Sequence, residues 1–162
     1  MSTIEESIEI DVPVRTAYNQ WTQFEEFPSF MEGVESVTQL DDTHLHWVAE
    51  IGGVRREWDA VVSEQHPDER VAWTSTSGTS NAGVVTFHKL AEGRTKVMLQ
   101  LEVEPEGIVE RAGDALGVIR RRAKGDLERF KDLIESRGQA SGAWRGDVSN
   151  DATSGERGTR TP

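Results

Sequence analysis

Cysteine is missing altogether from the 162 residues. Its absence excludes a disulfide framework, a thiolate zinc site and a thiol nucleophile. Lysine is scarce, at four against fourteen arginines, and tyrosine occurs once. Basic charge is short overall. Twenty-nine acidic against eighteen basic side chains leave a net charge of −11, a field that repels phosphate backbones and argues against nucleic-acid binding. No apolar run reaches membrane length. The opening MSTIEESIEIDV carries three Glu and one Asp and lacks the basic and apolar regions of a secretory signal. The expectation is a cytoplasmic chain without an integral membrane segment.

What is present suits one domain, since a 35% hydrophobic content over this length supports a single core. Charge is unevenly spread: residues 1–110 carry 7 basic and 21 acidic groups, residues 111–137 carry 8 and 5. From Gly138 to Pro162 the chain is rich in Gly, Ser, Thr and Asp, with Trp144 its only large apolar side chain. This composition predicts a disordered polar tail over 138–162 and a folded domain over 3–137. Trp144 leaves two alternatives open, a fold-back onto the domain or a recognition peptide.

Ile4, Ile8, Ile10 and Val12 among acidic residues predict a first strand, and Pro13, with its fixed φ, opens a short helix to Trp21. Thr22 with Glu25 matches a capping box for a second short helix, which Phe27-Pro28 should end. From Val34 to Glu104 the pattern alternates with period two in six runs: 34–40, 43–51, 54–65, 70–76, 82–90 and 95–104. Turn-like pairs such as Asp41-Asp42, Gly52-Gly53 and Pro67-Asp68 join them, which predicts an antiparallel meander. Ile108, Ala112, Leu116, Ile119, Ala123, Leu127, Phe130 and Ile134 then recur at steps of three and four, predicting one long amphipathic helix. The expected class is α+β in the order β-α-α-β6-α.

That order, with the long helix last, resembles the helix-grip fold of the START-like (SRPBCC) superfamily, a seven-stranded antiparallel sheet wrapped around a C-terminal helix. More closely, the stretches FEEFPSFMEGVESV, HWVAEIGGVRREWDA, PDERVAW, NAGVVTFHKL and GDLERFKDLIESRG look like polyketide cyclase/dehydrase-like proteins, relatives of coenzyme Q-binding START-like domains. The resemblance implies a cavity between sheet and helix that accepts a hydrophobic or polycyclic molecule. These stretches are scaffold signatures, so no catalytic residue is carried over.

Strand parity gives an independent list of residues that could line such a cavity, because side chains two apart share a face. The candidates are Trp47, Ala49, Arg56, Trp58, Trp73, Ser75, Phe87 and Leu99 from the sheet, with Leu116, Gly117 and Ile119 from the helix. Ordinary core packing is the alternative for each. Gly113 and Gly117, four apart, each cost about 1 kcal/mol relative to Ala in a helix interior, which close sheet packing or room for a ligand would offset. Gly125 has no evident role. Arg56 shares the face of Trp58 and Ala60, so it is either a polar anchor for a ligand carbonyl or carboxylate, or a strand-end side chain that snorkels or pairs with a carboxylate.

Other chemistry is sparse. His44 and His46 share one face of a strand, opposite Trp47, with no third ligand in view, so no metal site is expected. No Gly-x-Ser-x-Gly elbow and no phosphate-binding glycine loop is present, and no cofactor is expected. Arg120, Arg121, Arg122, Lys124, Arg129 and Lys131 alternate with Asp126, Glu128, Asp132 and Glu135, which reads as a solvated, ion-paired helix face.

The leading expectation is binding or transport of a hydrophobic small molecule, such as a lipid, a quinone or a polycyclic aromatic, with no oligomeric state assigned. One alternative is an aromatase/cyclase in which Arg56 and Ser75 polarise a carbonyl. Another is a protein-interaction module of the ribosome-associated toxin type, acting through the sheet edge or the basic helix. The inward-facing list holds no His, Asp, Glu or Tyr, which tips the balance toward binding rather than catalysis.

Overall fold

The computed structural model describes residues 2–51, 53–78, 80–103 and 115–149. Seven strands, β1 (Ser2–Ile10), β2 (Val34–Gln39), β3 (His44–Ile51), β4 (Val54–His66), β5 (Arg70–Gly78), β6 (Asn81–Ala91) and β7 (Arg94–Val103), form one sheet. Its order is β1-β7-β6-β5-β4-β3-β2, every neighbouring pair antiparallel. Helix α1 (Val14–Trp21) and a 3₁₀ segment (Phe24–Ser29) connect β1 to β2, the two opposite edges of the sheet. The last helix, α2 (Ala115–Arg137), packs against β1. This is the helix-grip arrangement.

Each strand run anticipated from period-two alternation is present, because one face of each strand is buried. Leu45, Trp47 and Ala49 on β3, Trp58, Ala60 and Val62 on β4, and Val85 and Phe87 on β6 are all core residues. Register shifts at Asp59/Ala60 and Val62/Glu64 mark bulges in β4, which bend a strand and increase its twist. After the second shift the buried position passes to Gln65, which is fully inaccessible, while Glu64 stays partly exposed. On α2 the anticipated stripe Ile119, Ala123, Leu127, Phe130 and Ile134 is buried. The helix stops at Gly138, whose φ of +75° suits a left-handed cap and whose N–H donates to Ile134 O at 2.9 Å. Ile108, Ala112 and Gly113 lie outside the described residues.

Two expectations need correction. Thr22 and Glu25 do not form a capping box: Thr22 Oγ1 donates to Asn19 O at 2.6 Å, closing the end of α1, and Glu25 Oε2 accepts from Gln39 N at 2.9 Å. The segment is 3₁₀ and ends at Ser29, one residue past Pro28. The second correction concerns residues 138–149, which composition placed in a disordered tail. Here they run back along α1 to the β4–β5 turn. Ser141 N donates to Gln20 Oε1 (2.9 Å), Trp144 N to Thr22 Oγ1 (3.1 Å), and Gln65 and Val148 exchange backbone hydrogen bonds at 2.9 and 2.8 Å. Polar partners hold this strap, and hydrophobic content does not report them. Of the two alternatives for Trp144, the fold-back is the one observed.

Candidate functional site

The aromatic anchors begin with α1 and the 3₁₀ segment. Trp21 sits among Phe27, Phe30, Phe87 and Phe130 with ring centroids 5.0 to 6.4 Å apart. That contact ties α1 to the sheet and to α2, and two of its rings, Trp21 and Phe27, line a cavity of about 150 Å3. Four of the five tryptophans, Trp21, Trp47, Trp58 and Trp73, line this cavity. Trp47 and Trp58 are cross-strand partners whose rings stack at 5.6 Å and 11°. Trp73 lies over its cross-strand partner Gly83, where a β-carbon would collide with the indole ring. Glycine there gives the ring its room.

Of the residues proposed from parity, Trp47, Ala49, Trp58, Trp73, Leu99 and Ile119 line the cavity. Five others lie elsewhere. Phe87 packs edge-on against Tyr18 and Trp21 in the core. Ser75 Oγ accepts from Asn81 N at 3.0 Å, and it is Asn81 that reaches the wall. Arg56 is half-buried opposite Ala49, on the inward face but beyond the lining. Leu116 joins a separate cluster with Ile4, Val103 and Ile119. Gly117 is partly buried in the first described turns of α2 and is not part of the wall.

The wall is almost wholly apolar, and its polar exceptions are the residues that sequence reading missed. Asp126 and Arg122, assigned above to a solvated face, both line the cavity. Helical spacing carried the signal: position 126 lies three after Ala123 and four before Phe130, on the buried stripe itself. The Asp126 side chain is 14% exposed. Its Oδ1 accepts from Glu32 N at 3.0 Å and from Arg129 Nη2 at 2.6 Å. Burial pushes this carboxyl above the usual aspartate range, against the pull of Arg129. A β-carbon at Gly125 would come within 3.1 Å of the Arg129 guanidinium that folds back over it.

Arg122 reaches from α2 to the end of β3, where its Nη2 donates to Glu50 O at 2.8 Å. Its guanidinium occupies the place a β-carbon of residue 33 would take, so Gly33, with a φ of +83°, is required for both reasons. Val118 and Arg122 also border a second, more polar hollow with Glu32 and Arg121. The indole N–H groups of Trp21, Trp47 and Trp58 are buried and find no acceptor among the described residues. An apolar chamber with a few hydrogen-bonding groups at its wall is suited to holding a molecule that is mostly hydrocarbon.

The family model for polyketide cyclase / dehydrase and lipid transport proteins matches residues 10–132. The chain belongs to this family. A 17.2 kDa uncharacterised protein of Streptomyces lincolnensis is 59% identical over 149 residues, spanning 91% of this chain and 99% of that one. Among solved structures, the Zhui aromatase/cyclase of Streptomyces sp. R1128 superposes with a TM-score of 0.70 at 14% identity, covering 88% of this chain and 99% of its own. A START superfamily protein of Mycobacterium smegmatis gives 0.61 at 16%, covering 83% and 95%. Those two likenesses concern the fold. Among the described residues of this member of the polyketide cyclase / dehydrase and lipid transport family, no helix is long and apolar enough to cross a membrane.

Proposed function

We propose that this protein binds or carries a compact hydrophobic molecule in the chamber between the sheet and α2. The observation that supports this most is the chamber itself: four indole rings, aliphatic strand residues and one face of α2 surround about 150 Å3. An apolar cavity of comparable volume holds a benzene-sized guest. Burial of such a guest gains roughly 25 cal/mol per Å² of apolar surface. Lipid, quinone and polycyclic aromatic ligands share this chemistry, and the family description covers both cyclases and lipid transport.

Native mass spectrometry of the protein purified from a lipid-rich lysate tests the proposal, followed by extraction of whatever co-purifies. The expected result is a stoichiometric apolar adduct. A clean protein mass that stays unchanged after incubation with quinones, fatty acids and polycyclic aromatics would overturn it.

A further inference from the structure

We propose that Asp126 makes the chamber selective for a hydroxyl-bearing ligand, an alcohol or phenol whose O–H donates to the carboxylate oxygen Oδ2. This rests on the binding proposal above and adds the polar group that the ligand carries. Asp126 lines the chamber, and its two oxygens are not equivalent. Oδ1 already accepts two hydrogen bonds, from the Glu32 backbone N–H and from Arg129. Oδ2 has none. The carboxyl is therefore fixed by one oxygen with the other left open as an acceptor.

The neighbouring cations also hold protein acceptors. The Arg122 guanidinium donates through Nη2 to Glu50 O, and Arg129 donates to Phe30 O and to Asp126 itself while lying 3.6 Å from Glu32. The charged groups around Asp126 are thus Arg122 and Arg129 on α2 and Glu32 on the facing loop. An anionic head group would meet the Asp126 carboxylate directly, and a ketone or ether offers no proton for Oδ2. A hydroxyl satisfies it. Burial raises the cost of leaving such an acceptor unpaired once an apolar guest displaces solvent.

The test compares 4-propylphenol with its methyl ether, 4-propylanisole, by isothermal titration calorimetry at neutral pH. The two probes differ only in the donor proton and one methyl. The phenol should bind roughly tenfold to a hundredfold more tightly, as a hydrogen bond to a charged acceptor implies. In Asp126→Asn the amide oxygen takes the two fixed donors and turns Nδ2 toward the chamber, replacing an acceptor with a donor. The phenol preference over its methyl ether should then vanish, since either oxygen can accept from Nδ2. Equal affinity of the unaltered protein for the two probes overturns the inference, and so does a phenol preference that survives in folded Asp126→Asn. Should that variant not fold, the comparison on the unaltered protein still decides. If neither probe binds, this inference falls, while the binding proposal is decided by the co-purification test above. Anisole binding without a phenol preference overturns this inference alone.

Discussion

Trp47 and Trp58 face each other across β3 and β4 with rings nearly parallel, 11° apart at 5.6 Å, and both form part of the chamber wall. One contact therefore serves the sheet and the site together. Removing one ring should cost stability and change the chamber. Trp58→Ala is expected to lower unfolding free energy by about 3–5 kcal/mol, the range for deleting a large buried aromatic. Urea denaturation measures this, and a loss below about 1 kcal/mol would show that the stack is not a structural element.

Tyr18 is the chain's single tyrosine, so its ionisation can be followed without interference from another phenol. Burial pushes its hydroxyl up to about 12. The folded state thus holds this proton over a range where the unfolded chain, titrating near its ordinary value of about 10, has lost it. Stability should decline as pH rises above about 10. Absorbance at 295 nm should show no phenolate before unfolding begins. A reversible transition near pH 10 in folded protein would contradict this.

Arg145 is one anchor of the strap. Its guanidinium lies over the Tyr18 ring at 5.4 Å, donates to Asn19 Oδ1 at 2.6 Å and pairs with Asp68 at 2.8 Å. Arg145→Ala should destabilise the fold by about 1–3 kcal/mol, the scale of one partly buried charged network. It should also speed hydrogen exchange at Gln65 and Val148, whose backbone groups pair across the strap. Unchanged exchange at both residues would mean that the strap is held by its other contacts.

On the outer face of the sheet, His46 bridges Asp59 at 2.6 Å and Glu57 at 3.1 Å. The hydrogen bond to Asp59 leads in raising the imidazole above its ordinary pKa, and His46 in turn lowers both carboxyls. The histidine contribution is complete below its unfolded pKa and fades as pH rises through the raised value. The carboxylate contributions fade as pH falls through the lowered values. Together they make the benefit greatest at about pH 5 to 6, fading on either side. His46→Gln should lower the melting temperature at pH 5.5 and leave it unchanged at pH 9. A loss of equal size at both pH values would assign His46 a packing role instead.

Much of this architecture was legible because burial imposes period two on strands and steps of three and four on helices. The alternation Leu45, Trp47, Ala49 gave the inward face of β3, and the spacing Ile119, Ala123, Leu127 gave that of α2. Charge was the misleading signal. Asp126 and Arg122 sit among ionic neighbours in sequence, so their identity outweighed their position, although both fall on or beside the apolar stripe. Phe87 and Ser75 had the right parity but the wrong height along their strands, and a single period cannot report height. The strap at 138–149 was hidden because hydrogen bonds to Thr22, Gln20 and Gln65 hold it, and such long-range pairing leaves no local pattern.

The central claim is that the chamber holds an apolar guest, and its four tryptophans make that directly measurable. Titration with 1,4-naphthoquinone, followed by tryptophan emission, should quench the fluorescence of the folded protein with saturation at one equivalent per chain. Quenching that rises linearly without saturation, as in collision with free indole, would contradict the account.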